Sequence, residues 1–403
     1  MKVDFNYEFN KVLDTEIPAI MSKAIEIRRH IHMYPETGFD THNTESFILE
    51  KLKETGIEIL PSEIGVMARI EGKDHSRMVA LRSDIDALNL DEINEVPYKS
   101  QVPHKMHACG HDGHTAMLLC AAEILQRHRD MLPTDVLLVF QPAEEGPNLG
   151  GARVMLADMK KSGMINRIDN IFGIHLFNDY PVGKVGVKHG ALASSTDEFY
   201  IKIKGKGGHA GQPEKCIDAL SVAVKVVDAM ESFMSRRISP LESAVFAIGM
   251  LNAGSAINIV AENATIGGTL RCQVEEMRSY ILENMDQIVR GVCSAFGATC
   301  EIEILHGLPP LVNDTEVTDF AENILKEAFE RDKIFEIQKP MMGAEDFSYF
   351  SESIPSTFCW IGSGNKEKGF VNLAHSPGFD FDEDALANGI RVHCTFAVNR
   401  MNL

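Results

Sequence analysis

The strongest constraint on the fold is a change of hydrophobic pattern near Ser194. Before it, uninterrupted apolar runs at residues 78–81, 136–140 and 171–174 alternate with helical patterns such as 114–127. Strands buried on both faces of a parallel sheet have this continuous apolar character, whereas strands with one solvated face alternate apolar and polar residues. The first part of the chain therefore predicts an α/β domain with a mostly parallel sheet.

After Ser194 the pattern becomes that of an antiparallel sheet. The predicted elements are a strand at 199–204, a helix at 217–234, strands at 244–250 and 264–272, a helix at 275–296 and a strand at 299–304. This β-α-β-β-α-β order is that of the ferredoxin-like unit. The chain has 403 residues, more than one hydrophobic core usually supports. We therefore predict an α/β domain formed by residues 1–193 and 306–403, with a ferredoxin-like domain of residues 194–305 inserted into it.

Composition excludes some classes of partner. The formal net charge of −19 repels phosphate backbones and anionic lipids, so we expect neither nucleic acid nor membrane binding. No run of about 18 apolar residues is present, and the N-terminus lacks the apolar core of a signal peptide. The eight cysteines are scattered along a long chain, which predicts reduced thiols and a cytoplasmic location.

The densest group of potential metal ligands lies at residues 104–114, which read His-Lys-Met-His-Ala-Cys-Gly-His-Asp-Gly-His. Cys109 and His111 are two residues apart, so on an extended or loop backbone both side chains can point toward one centre. Thiolate and imidazole together suit zinc and similar divalent ions. Gly110 and Gly113 permit the tight backbone of such a loop. The alternative is a polar surface loop that contains a thiol by chance.

A second group, Glu144 and Glu145, follows the apolar run at 136–140 and is flanked by Pro142 and Pro147. One carboxylate can bind a metal while the other accepts a proton from a water molecule. The alternative is a pair of solvated surface acids. Ligands of open α/β sheets gather beyond the carboxyl ends of strands, which is where this pair is predicted to lie.

Other candidate ligands also lie at or after the carboxyl ends of predicted strands. They are Asp84 and Asp86 after residues 78–81, His175 after 171–174, and His375 shortly after a predicted strand at 357–361. Each alone is as typical of a structural residue as of a ligand. Together they predict a metal site of imidazole, thiolate and carboxylate ligands, which indicates a hydrolase.

Several short motifs of this chain match those of one known enzyme family, and they occur in the same order along nearly the whole chain. The most specific are Cys-Gly-His-Asp-Gly-His at 109–114 and Pro-Ala-Glu-Glu-Gly at 142–146; the others lie at 29–39, 82–88, 204–210, 343–347 and 374–376. They resemble the aminoacylase/carboxypeptidase family of dinuclear metallohydrolases. The most similar branch is that of hippurate hydrolases, N-acyl-amino-acid amidohydrolases and auxin-conjugate hydrolases.

The resemblance implies two divalent metal ions, zinc or manganese, with cobalt and nickel also compatible. The residues that match the ligands are Cys109, His111, Glu145, His175 and His375. Compared with the wider family, Cys109 replaces a bridging aspartate and Arg82 replaces a histidine. This difference favours the amidohydrolase branch over a peptidase.

The resemblance also implies roles for residues that do not bind metal. Glu144 matches the general base, and Asp84 matches the acid that orients a metal-bound imidazole. The inserted domain matches a lid that also forms a dimer interface. In it, His209 and Asn258 match groups that reach the active site of a partner subunit, and Arg271 is a candidate for binding the substrate carboxylate. Residues 212–214 read Gln-Pro-Glu where the branch commonly has a histidine after the proline, so the acyl preference is not transferred.

The expected function is hydrolysis of the amide bond of small N-acyl amino acids by a homodimer or higher homo-oligomer. Within the same family, a carboxypeptidase or dipeptidase and an N-acetyl-diaminopimelate deacetylase remain alternatives. Two further alternatives are a hydrolase with Cys109 as nucleophile and a metal-dependent binding protein without enzymatic activity.

Overall fold

The computed structural model describes residues 5–146, 150–399 and 401, so Pro147 of the predicted acidic loop lies outside them. Within these residues the α-helices are α1 Tyr7–Met33, α2 His42–Glu54, α3 His111–Arg127, α4 Gly150–Lys161, α5 Ala219–Arg237, α6 Glu275–Ala295, α7 Thr315–Ala328, α8 Ser348–Ser353 and α9 Ala385–Val398. The β-strands of the same residues are β1 Glu58–Leu60, β2 Val66–Ile70, β3 Asp74–Asp84, β4 Thr134–Gln141, β5 Ile168–Pro181, β6 Val185–Val187, β7 Gly190–Ala193, β8 Asp197–Lys204, β9 Gly208–His209, β10 Ala244–Ala253, β11 Ile259–Val260, β12 Asn263–Cys272, β13 Thr299–His306, β14 Leu311–Asn313, β15 Ile334–Glu336 and β16 Ser356–Gly364.

The chain divides into two compact units. The first comprises Met1–Gly190, Val312–Lys339 and Asp346–Leu403, and the second comprises Ala191–Leu311 and Pro340–Glu345. For comparison, the predicted insertion of residues 194–305 begins three residues later and ends six residues earlier than the long segment of the second unit. The short segment 340–345 was assigned by sequence to the other domain.

An eight-stranded sheet forms the centre of the first unit, in the order β1-β2-β4-β3-β5-β16-β6-β15. The four adjacent strands β4, β3, β5 and β16 are parallel to one another. The predicted apolar runs lie inside these strands, and the predicted helix 114–127 lies inside α3. The α/β fold with a mostly parallel sheet is therefore confirmed.

Both faces of the central strands are covered, which explains their continuous apolar sequences. Phe172 of β5 lies opposite Thr357 of β16, and its ring stacks on Phe396 of α9 at 4.0 Å between centroids. The next position of β16, Phe358, points to the other face and packs on Phe347 at 5.0 Å. Helices or helix termini therefore bury the sheet from both sides.

The second unit contains a four-stranded antiparallel sheet in the order β10-β12-β8-β13. Along the chain its elements follow one another as β8, α5, β10, β12, α6 and β13. This is the predicted β-α-β-β-α-β order, and its strand order is that of a ferredoxin-like sheet. Arg278 of α6 is buried with Asp197 of β8, and its guanidinium donates to both carboxylate oxygens at 2.7 Å. This bidentate pair fixes the helix to the sheet.

Among the helices described, none combines the length and the apolar character that crossing a bilayer requires. All eight cysteines lie in the described part of the chain, and all are free thiols.

Candidate metal centre

Four neighbouring parallel strands bring the predicted ligands to one edge of the sheet. Asp84 is the last residue of β3, Glu144 and Glu145 follow β4, and His375 lies on the chain after β16. Because the carboxyl ends of parallel strands meet at one edge, these side chains converge there. The prediction that His175 closes its strand is wrong, since β5 continues to Pro181.

The segment that carries Cys109 and His111 is only partly a loop. Cys109 precedes α3, whereas His111 is the first residue of that helix. Gly110 between them has φ of +85°, a conformation that glycine adopts readily, and it turns the chain from loop to helix. The loop role predicted for Gly113 is wrong, because this residue is helical. A Cβ atom there would lie 2.6 Å from the ring of Phe381, so close packing requires glycine.

Main-chain carbonyl groups orient two of the predicted imidazole ligands. His111 Nδ1 lies 2.9 Å from the main-chain oxygen of Asp86, and His175 Nδ1 lies 2.7 Å from that of Leu176. Each Nδ1 therefore donates its proton to a carbonyl oxygen, which leaves Nε2 as the nitrogen that can bind a metal ion once it is deprotonated. His111 Nε2 is buried without a hydrogen-bond partner. His175 Nε2 lies 3.3 Å from Cys109 Sγ.

Asp84 lies beside two buried histidines, His114 and His111. Its carboxylate accepts a 2.6 Å hydrogen bond from His114 Nδ1, and its other oxygen is 3.7 Å from His111 Nε2. The acceptor that orients His111 is the main-chain oxygen of Asp86. His114 is fully buried, and its place in the ligand-rich motif was the one sequence signal for a role.

A buried polar network that sequence reasoning missed supports Asp84. The guanidinium of Arg82 is buried and donates to Asp84 at 2.7 Å, to Asp346 at 3.1 Å and to the Gln141 side chain at 2.9 Å. Asp346 also accepts from Gln141 Nε2 and from the main-chain N–H of Ala152 near the start of α4. Burial raises the pKa of Asp346 to about 6 despite the neighbouring Arg82. An arginine inside an apolar strand was the available sequence signal.

The predicted ligands form two groups that share one thiol. Cys109, His111 and His175 make the first group, and Cys109, Glu145 and His375 make the second. Within each group the potential ligand atoms lie within 4.8 Å of one another. His375 Nε2 is 2.8 Å from Glu145 Oε1. The arrangement has the donors for two divalent ions, with the sulfur of Cys109 available to both.

The electrostatics of the cluster also fit cations. Burial, followed by the charges of Glu145 and Glu144, raises the pKa of the Cys109 thiol well above its usual value. Burial opposes protonation of His111, but the charge of Asp84 and the hydrogen bond to Asp86 outweigh it and raise the pKa of His111 to about 10. Protons held this tightly indicate an excess of negative charge, which divalent cations would neutralise by displacing the protons. The residues present therefore fit two metal ions.

Two residues at the centre adopt a conformation that non-glycine residues avoid. Ala143 has φ of +58° and His375 has φ of +65°. Gly151 N–H donates to the oxygen of Ala143 at 3.1 Å, and His375 N–H donates to the oxygen of Ala108 at 2.8 Å. Such strain persists where surrounding contacts impose it, and it concentrates at functional sites.

The residues predicted to contact substrate lie in the second unit. β9, which ends at His209, pairs with β11, and Ala210 N–H donates to the oxygen of Asn258 at 3.1 Å. His209 and Asn258 are therefore neighbours, and both are exposed. Arg271 lies on β12 and donates to the main-chain oxygen of Met342 at 3.2 Å.

Comparisons with known proteins agree with this geometry. The family model of peptidase family M20/M25/M40 matches residues 80–399. Thermostable carboxypeptidase 1 of Saccharolobus solfataricus is 36% identical over 396 residues, which cover 97% of this chain and 98% of the relative. The N-acetylcysteine deacetylase of Bacillus subtilis is 37% identical over 384 residues, which cover 94% of this chain and 97% of the relative.

A solved structure indicates the same family. The Bacillus subtilis YXEP protein, a dinuclear metal binding peptidase from the M20 family, superposes with a TM-score of 0.81 at 32% identity, over 94% of this chain and 98% of that chain. The family resemblance inferred from the motifs is thereby confirmed, and with it a metal-dependent hydrolase. This chain belongs to peptidase family M20/M25/M40.

Proposed function

We propose that this protein hydrolyses the amide bond of small N-acyl amino acids and releases a carboxylic acid and a free amino acid. The observation that carries the proposal is the pair of ligand groups that share Cys109, with the carboxylate of Glu144 beside them. Glu144 Oε2 lies 4.0 Å from His111 Nε2. A cysteine where the wider family is expected to have an aspartate favours the amidohydrolase branch, and the similarity to an N-acetylcysteine deacetylase agrees with it.

In this proposal the metal ligands are Cys109, His111, Glu145, His175 and His375. Zinc, manganese, cobalt or nickel are all compatible with this donor set. When bound, the two ions would polarise the scissile carbonyl and lower the pKa of water.

The other residues act on protons and on the substrate. Glu144 takes the proton of the attacking water and delivers it to the leaving amine. His209 and Asn258 of a partner subunit donate to the developing oxyanion, where one donor contributes roughly 3 kcal/mol. Arg271 binds the substrate carboxylate. Asp84 keeps the buried imidazole of His114 in place through its 2.6 Å hydrogen bond and adds negative charge beside His111.

A carboxypeptidase or dipeptidase is the second candidate, because a thermostable carboxypeptidase is 36% identical over nearly the whole chain. An N-acetyl-diaminopimelate deacetylase is chemically a special case of the first proposal. A nucleophilic role of Cys109 is disfavoured, since burial and nearby carboxylates raise its pKa whereas thiol nucleophiles have lowered pKa values. A binding protein without activity is disfavoured because Glu144 is retained.

We further propose a cytoplasmic homodimer that assembles through the second unit. Next to Asn258, the side chain of Ile257 is fully exposed and that of Ile259 is half exposed. An interface at this place would cover both apolar side chains.

The reaction is tested with metal-stripped protein and with protein refilled with zinc, manganese or cobalt. The substrates are N-acetyl, N-benzoyl and N-succinyl amino acids, together with dipeptides and N-blocked peptides. We expect activity that disappears on stripping, returns with metal and favours the N-acyl amino acids. Faster cleavage of the peptides would support the carboxypeptidase instead, and no cleavage by protein that holds two ions would contradict both.

Two adjacent carboxylates should respond differently to the same substitution. Glu144→Gln removes the proton acceptor, so turnover should fall by roughly 10²–10⁴-fold while both metal ions remain bound. Glu145→Gln removes a ligand, so one ion should be lost. Metal content by mass spectrometry and kcat measure the two effects. Near wild-type turnover of Glu144→Gln would refute its role as base.

Cys109→Ala should reduce the affinity for both ions, because both ligand groups contain this sulfur. His375→Ala removes a ligand of the second group alone and should release one ion. The matched control is Cys359→Ala, since Cys359 is likewise a buried thiol but lies inside β16 and belongs to neither group. Full occupancy of both sites in Cys109→Ala, measured by calorimetric titration, would show that the thiol is not a ligand.

Ile257→Lys should dissociate the dimer, because it places a charge on the exposed apolar surface beside Asn258. The control is Leu241→Lys, which changes another highly exposed apolar residue of the second unit. Light scattering after gel filtration measures the mass. A dimer that persists in Ile257→Lys, or a monomeric wild type, would contradict the proposed interface.

A further inference from the structure

Asp86 is a buried residue that the sequence singled out beside Asp84 and to which the proposed function assigns no role. Its two carboxylate oxygens each accept one main-chain hydrogen bond, from the N–H of Glu144 at 3.0 Å and from the N–H of Glu145 at 3.1 Å. Its own main-chain oxygen accepts from His111 Nδ1 at 2.9 Å. One residue therefore contacts the backbone of both acidic residues and the imidazole of a third.

The loop that carries the two glutamates requires such support. Ala143, directly before Glu144, has φ of +58°, which is unfavourable for a residue with a Cβ atom. Hydrogen bonds to a carboxylate are stronger than those between neutral groups, and this pair is shielded from water because Asp86 is 1% exposed. The two bonds fix both peptide planes and, with them, the directions in which the side chains of Glu144 and Glu145 leave the backbone.

We propose that Asp86 is a positioning residue, whose carboxylate holds the loop so that Glu144 acts as base and Glu145 as ligand. Its carbonyl meanwhile holds His111 with Nε2 directed at the same centre. The part of this proposal that concerns Glu144 as base rests on the proposed function. The contacts themselves do not depend on it.

Asp135 provides a matched control within the same unit. It is fully buried, and its carboxylate accepts from the main-chain N–H of Gly72 at 3.0 Å and from His75 Nδ1 at 2.8 Å. It is the second residue of β4, whereas the acidic loop follows the last residue of that strand. Asp135→Asn therefore alters an equally buried acceptor of a main-chain N–H at the opposite end of the strand.

The experiment compares Asp86→Asn and Asp135→Asn with the wild type. An asparagine retains one acceptor oxygen and turns a donor toward the second N–H. Hydrogen exchange of the peptide containing residues 144 and 145 is followed in the metal-free protein. We expect at least one of these amides to exchange tenfold faster or more in Asp86→Asn and neither to change in Asp135→Asn. With zinc at saturation, kcat of Asp86→Asn should fall roughly 10- to 100-fold while KM stays within about twofold.

Unchanged exchange at residues 144 and 145 would overturn the proposed clamp, and faster exchange with wild-type kcat would overturn its catalytic relevance. Should the wild type hydrolyse none of the substrates, the proposed function fails. In that case the zinc affinity decides: at least tenfold weaker binding by Asp86→Asn supports the positioning role, and equal binding overturns it. If Asp86→Asn does not fold, Asp86→Glu replaces it. This variant keeps the charge but displaces both oxygens, so the same changes are expected.

Discussion

The gathering of negative charge at the carboxyl edge of the parallel sheet is the constraint on which the centre depends. Asp84, Glu144, Glu145 and the thiol of Cys109 meet in surroundings that water reaches poorly, where unbalanced charge is costly. Burial and the charges of Glu145 and Glu144 raise the pKa of Cys109, and the charge of Asp84 outweighs burial to raise the pKa of His111, so without metal protons keep the balance. Divalent cations can take their place, so metal binding must release protons and strengthen as the pH rises.

Arg82 shows how this balance is adjusted in the present chain. By resemblance, it stands where the wider family has a ligand histidine. A guanidinium does not lose its proton and cannot be a ligand. Arg82 instead contributes a permanent positive charge that, with His111 and His114, keeps the pKa of Asp84 well below its usual value despite burial. In the proposed centre, His111, two residues after Cys109, supplies an imidazole donor.

The sequence predicted the four central strands and α3 of the first unit and the β-α-β-β-α-β elements of the second, because long apolar runs and sustained alternation depend on local pattern alone. It did not predict that His111 begins a helix, since two residues separated by one glycine can converge on either backbone. The roles of Asp86 and Asp346 were equally inaccessible. Their partners are mostly main-chain N–H groups or buried side chains that only the folded chain brings within reach, and no spacing in the sequence encodes such contacts.

The proposed metal ligands and the proposed base all belong to the first unit, whereas His209, Asn258 and Arg271 belong to the second. Metal-assisted attack of water on a carbonyl is the same chemistry for an N-acyl amino acid and for a peptide. The first unit alone therefore does not distinguish a deacetylase from a carboxypeptidase, and relatives with both names are almost equally similar to this chain. Discrimination between N-acyl amino acids and peptides must come from contacts to the acyl and amino-acid groups of the substrate. Residues 212–214, which lack the histidine that the amidohydrolase branch commonly has after the proline, lie in the second unit. Substrate preference can therefore diverge there while the metal centre is preserved.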